Sequence, residues 1–167
     1  MIEIRPGVFQ HPVVHLDRGG ARRQVSITHS EPWGAALAFP EEHPMAIDVE
    51  RVQARDVLAS LCVPTAHEGP RLAACALAEP QRHTIAWTAK EALSKVLKTG
   101  LTLDFKILEI SALHPHARHL ECLFANFPQY RAVSWLLQDF AWSIVLPRKS
   151  DLDADAAVAA LSAEFGV

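Results

Sequence analysis

Trp87-Thr88-Ala89-Lys90-Glu91-Ala92-Leu93-Ser94-Lys95 is the stretch on which the reading of this chain turns. Ile85, Ala92, Leu93, Val96 and Leu97 fall largely on one side of a helical wheel, so residues 83–98 are predicted to form a helix, with Gly100 as its stop. Glu91 and Lys95, four apart, share one face of that helix. Upstream, Ala46-Ile47-Asp48-Val49-Glu50 reads as the end of an apolar strand. Residues i and i+2 of a strand point the same way, so Asp48 and Glu50 project together. Three carboxylates near a lysine describe a hard-cation site that can hold a phosphate-bearing substrate.

Outward from these two motifs the chain alternates between strand and helix signals. Strands are expected at 25–30, 33–39 and 45–50, their tight connections suggesting an antiparallel meander. Helical patterns cover 52–61 and 71–78, and the alternation of Leu101, Leu103, Phe105 and Ile107 predicts a strand over 101–110. Further strands are expected at 118–125, 131–138 and 140–146, then a helix over 152–164 capped by Asp151 or Ser150. The fold class is α+β, an antiparallel sheet packed against a central helix. The whole chain, 1–167, reads as one domain: a Pro/Gly-broken segment to residue 23, a core over 24–147 and a C-terminal helix within 148–167.

Composition excludes several classes of function. A net charge of −3 with 21% charged residues gives no general nucleic-acid binder and no membrane-surface protein. No apolar run approaches the roughly 20 residues of a membrane span, and the first residues lack the apolar region of a signal peptide. Cys62, Cys75 and Cys122 lack CxxC spacing and lie in apolar stretches, reading as buried thiols of a cytoplasmic protein. Arg5, Arg18, Arg22 and Arg23 form a basic stretch, open to reading as a phosphate site or as a solvated face. His114, His116 and His119 surround Pro115 without acid or cysteine partners in ligand spacing and read as a surface loop. Trp135, Phe140 and Trp142 read as core.

The motifs resemble those of the 4′-phosphopantetheinyl transferase superfamily. Ala46–Glu50 is similar to its G-[VI]-D-[IV]-E element, with Ala46 for the glycine, and Trp87–Lys95 to its W-x-x-K-E-[AS]-x-x-K element. Lys98-Thr99-Gly100-Leu101 looks like a shortened form of the tail that follows. Ser26-Ile27-Thr28-His29-Ser30 resembles the S-H-S element of members that activate surfactin-type synthetases. Those members carry two similar halves, whereas holo-acyl-carrier-protein synthases carry one and assemble as trimers. By that comparison residues 1–23 are a remnant of a first half, and the chain would complete its cleft as a homo-oligomer, dimer or trimer.

The resemblance implies Mg²⁺-dependent transfer of phosphopantetheine from coenzyme A to a serine of an acyl- or peptidyl-carrier protein. Asp48, Glu50 and Glu91 would be the metal ligands, with Glu91 also the general base and Lys95 a contact to the pyrophosphate or leaving group. His29, Thr28, Ser30, Lys90 and Lys95 would bind coenzyme A, with Arg22 and Arg23 as supplements. Two other functions fit the same residues: a coenzyme A or carrier-protein binding module without transfer, and an unrelated Mg²⁺ enzyme acting on a nucleotide pyrophosphate.

Overall fold

The computed structural model describes residues 2–7, 11–16, 23–52 and 63–164. The helix expected over 52–61 and the positions of Arg18, Arg22 and Cys62 therefore fall outside the described residues, save Val52.

Strands β1 (Ile2–Pro6) and β2 (Pro12–Leu16) form an antiparallel hairpin where the sequence suggested only an interrupted segment. Its strands are bounded by Pro6, Gly7 and Pro12, so what reads as disruption is strand punctuation. Strands β3 (Arg23–Ser30) and β4 (Trp33–Pro40) form a second hairpin, with Ser30 opposite Trp33. The main sheet has five antiparallel strands in the order β5-β9-β8-β7-β6. They are β5 (Ala46–Arg51), β6 (Ile110–Pro115), β7 (Leu120–Phe124), β8 (Tyr130–Leu137) and β9 (Phe140–Pro147).

The expected meander is thus corrected. β4 does not continue into β5; β5 is an edge strand whose ladder partner is β9, from the far end of the chain. Its other side meets β3 through side chains. The Ile47 amide donates to Ser26 Oγ (3.1 Å), the Val49 amide to Thr28 Oγ1 (3.3 Å) and the Arg51 amide to Ser30 Oγ (3.1 Å). The hydroxyls at every second residue of β3, Ser26, Thr28 and Ser30, thereby each satisfy an edge amide that would otherwise lack a partner.

Helix α1 (Glu68–Ala73) is short; α2 (Glu79–Leu97) crosses the sheet, and α3 (Ala154–Glu164) closes the described chain. α2 starts where the Gln81 side chain accepts from the Ala78 amide and Pro80 occupies the first turn. It ends with Lys98 in the left-handed region (φ 57°), two residues before the expected glycine. The Asp153 carboxylate, not Asp151 or Ser150, accepts the Ala156 amide at the start of α3.

The strand expected over 101–110 is a helical turn (Gly100–Thr102) followed by tight turns. The Asp104 side chain accepts the Lys106 amide and its carbonyl accepts the Ile107 amide, so a local turn replaces a ladder. The sheet separates two cores. Ile85, Ala89, Ala92 and Leu93 of α2 pack on Ile110, Cys122, Ala132 and Ala141; Ala154 and Val158 of α3 cover Val133, Trp135 and Trp142 on the other face. Among the described residues no helix is long and apolar enough to cross a membrane.

Candidate active site

β5 lies against α2, and the two predicted motifs meet along that contact. Asp48 is 3% exposed; its Oδ1 accepts from Lys95 Nζ at 2.7 Å and from Thr28 Oγ1 at 2.9 Å. Its Oδ2 is buried with no hydrogen-bond partner among the described residues. Lys95 Nζ also donates to the Ile47 carbonyl at 3.2 Å, and its ammonium is shared between β5 and the edge of β3. Ser143, opposite Asp48 on β9, bonds to Thr88 (2.7 Å) and Ser134 (2.8 Å), a buried hydroxyl chain beneath the site.

Glu50 is half-buried and takes a hydrogen bond from Trp87. Trp87 in turn stacks on Phe105, with centroids 5.0 Å apart. Trp87 thus does more than pack helix against sheet: it holds a carboxylate of the cluster.

The electrostatics couple the three acids. Burial, and then the Asp48 charge, hold the Glu50 carboxyl above its ordinary value. The same two causes push Glu91 up to about 7, with Lys95 opposing. Burial also raises Asp48, against the pull of Lys95 and Thr28. Among the described residues, Lys95 is the one ammonium hydrogen-bonded to this group of three acids. As the side chains stand, no three His, Cys, Asp or Glu groups among the described residues are gathered tightly enough to grip a metal ion.

A cleft of about 210 Å³ opens beside the cluster, lined by Glu91, Lys95 and Lys98 of the α2 region and by Gln24 and Ile27 of β3. A larger cavity, about 480 Å³, lies toward the other end of α2 and contains none of the three acids. The carboxylates, not the volume, locate the chemistry.

The remaining expected residues divide. His29 is exposed, but its charge reaches Glu50. Arg23 is exposed at the opposite end of β3 from His29, roughly 20 Å away along the strand. Thr28 and Ser30 were expected at a phosphate, but their hydroxyls serve the β5 amides and Asp48.

Lys90 is a clear correction. Its side chain is 1% exposed, and Nζ donates to Glu68 Oε2 at 2.7 Å, with the Glu68 side chain fully buried. Lys90 is not among the described residues that line the cleft.

Sequence reasoning missed Glu68 altogether. Its other oxygen accepts the Ile110 amide, Oε2 also accepts the Thr65 amide, and Thr65 Oγ1 accepts the Glu68 amide in return. Thr65-x-x-Glu68 is a capping-type spacing legible in the sequence, the signal by which this residue could have been found. Lys98, at the end of α2, is a second cation on the cleft that was read only as part of a tail motif.

A family model described as the 4′-phosphopantetheinyl transferase superfamily matches residues 44–153, which span both acidic motifs and the five-stranded sheet. No curated protein matches the chain.

Proposed function

The chain belongs to the 4′-phosphopantetheinyl transferase superfamily, and from that premise we propose that it moves phosphopantetheine from coenzyme A onto a serine of an acyl- or peptidyl-carrier protein with Mg²⁺. The observation that carries the metal is the charge imbalance around Asp48. Burial raises the proton affinity of all three carboxylates, the Asp48 charge raises Glu50 and Glu91 further, Lys95 opposes, and among the described residues a buried Asp48 oxygen has no partner. Oxygen donors of this kind suit a hard divalent cation that keeps some waters and binds substrate phosphate.

Asp48, Glu50 and Glu91 would hold the ion, which when bound would neutralise the pyrophosphate charge. The protein's own residues supply the rest. Lys95 and Lys98 place positive charge on the cleft where a pyrophosphate would lie. Glu91, directly or through a bound water, would accept the proton of the incoming serine hydroxyl. The serine oxygen then bonds to the phosphorus that carries pantetheine, and the P–O bond to the adenosine moiety breaks. Adenosine 3′,5′-bisphosphate leaves with the electron pair. The chain would act as a homo-oligomer, dimer or trimer.

Intact-mass spectrometry of apo carrier proteins incubated with the chain, coenzyme A and Mg²⁺ tests the proposal. A carrier gaining one phosphopantetheine arm, with the gain abolished by EDTA, is the expected result. Coenzyme A binding without transfer to any carrier would select the binding-module reading. Release of adenosine bisphosphate without a carrier would select hydrolysis of the pyrophosphate.

A further inference from the structure

The cavity of about 480 Å³ lies where the segment after α1, the middle of β8 and the β6–β7 turn converge. Its size falls in the range that holds a small ligand, roughly 300–1,000 Å³. Its wall is aliphatic, supplied by Leu77, Ile85, Leu113, Leu120 and Leu136. The one hydroxyl among the described residues of that wall, Ser134 Oγ, is already engaged with Ser143 at 2.8 Å. The interior therefore selects a chain without polar groups, because a polar group there would lose its hydration without gaining a new partner.

The rim has the opposite character. Arg71 and Arg118 stand on it, and no Asp or Glu is among the described lining residues. Arg71 Nη1 donates to the His67 carbonyl at 2.7 Å and lies 3.8 Å from Glu109, which leaves part of its donor fork uncommitted. Among the described residues Arg118 has no ion-pair partner; only its backbone amide is engaged, by Asp155 at 3.0 Å. The rim is anchored next to it. His119 Nδ1 meets Asp155 at 2.8 Å, and His116 stacks on His119 with centroids 4.4 Å apart. A fixed rim with guanidinium groups over an aliphatic interior is complementary to a planar anionic head on an unbranched tail.

We infer that this cavity is a binding site for a linear aliphatic carboxylate, separate from the acidic cluster and sharing no lining residue with it. The tail occupies the aliphatic wall and the carboxylate meets Arg118 and Arg71 at the mouth.

Cys75 lines the same cavity and is partly exposed, which provides a direct reporter. Cys122 serves as the internal control: it is fully buried, and burial pushes its thiol up to about 12. The full chain would be alkylated with iodoacetamide and analysed peptide by peptide, with decanoate, decanol or no addition. Decanoate is expected to slow labelling of Cys75 at least fivefold without changing Cys122, and decanol to protect at least threefold less well. Arg118→Gln, an exposed change that leaves the interior intact, should weaken decanoate protection at least threefold. Ala76→Trp, which adds bulk at an exposed lining position, should abolish it. Unchanged Cys75 labelling with decanoate would overturn the site. Equal protection by decanol would overturn the anionic class, and wild-type protection in both variants would overturn the location.

Discussion

Glu91 concentrates the consequences of the cluster. Its carboxyl is pushed up to about 7 by burial and by Asp48, above the ordinary 4.5. In the metal-free protein the fold therefore binds a proton more tightly than the unfolded chain does. Stability is highest below pH 4.5 with respect to this group and declines as pH rises through about 7. Glu91→Gln removes that decline: in EDTA, urea titrations should show the variant gaining about 2 kcal/mol on wild type between pH 5 and pH 8. The same variant should lose transfer by about 10³-fold or more with its circular dichroism unchanged. Retained transfer would remove Glu91 from the chemistry. Lys95 is the complementary case. Lys95→Met leaves the buried Asp48 carboxylate without its cation and should destabilise by about 2 kcal/mol at pH 8. Asp48→Asn added to Lys95→Met should restore part of that loss. At this scale the sequence was informative where partners are near in helix or strand spacing, as for Glu91 with Lys95 and Asp48 with Glu50. It did not reveal the partners of Lys90, Thr28 and Ser30, because Glu68 and the β5 amides are reached only through tertiary packing.

The β3 hydroxyls set the behaviour of that element. Thr28 serves two acceptor and donor partners at once, Asp48 Oδ1 and the Val49 amide. Thr28→Val keeps the shape and removes both bonds, so a denaturant midpoint should report a loss of about 1–3 kcal/mol. Thr28→Ser should lose less than 1 kcal/mol or so. The Lys90–Glu68 pair acts on α2 in the same sense: Lys90→Met strands a fully buried carboxylate and should cost about 3–5 kcal/mol. Elements with strong periodicity were read well. The helix expected at 83–98 runs Glu79–Leu97, and the strands at 131–138 and 140–146 are Tyr130–Leu137 and Phe140–Pro147. The segment 101–110 failed because apolar residues alternating with polar ones also suit a chain that turns while anchoring Leu103 and Phe105 in the core. Period alone does not distinguish the two; the Asp104 turn does.

For the whole molecule, the α+β class followed from element content, but the strand order did not. β5 pairs with β9, nearly a hundred residues later, and such pairing is set by which faces bury together. The site depends on that long-range pairing, because β9 carries Ser143 behind Asp48 while α2 brings Glu91 and Lys95 in front. Metal addition tests the assembled molecule. If the three acids bind one divalent ion, millimolar Mg²⁺ should raise the melting temperature at pH 8 by several degrees, and Asp48→Asn should abolish the rise.

The two borders of the five-stranded sheet are closed in an unusual currency. On one, the amides of Ile47, Val49 and Arg51 are taken by hydroxyls; on the other, the Ile110 amide is taken by the Glu68 carboxylate and the strand ends at Pro115. Unpaired strand borders are templates for adding foreign strands and growing fibrils. Here the hydroxyl row guards β5 against such recruitment, so the residues that frame the acidic cluster also protect the folded chain from aggregation.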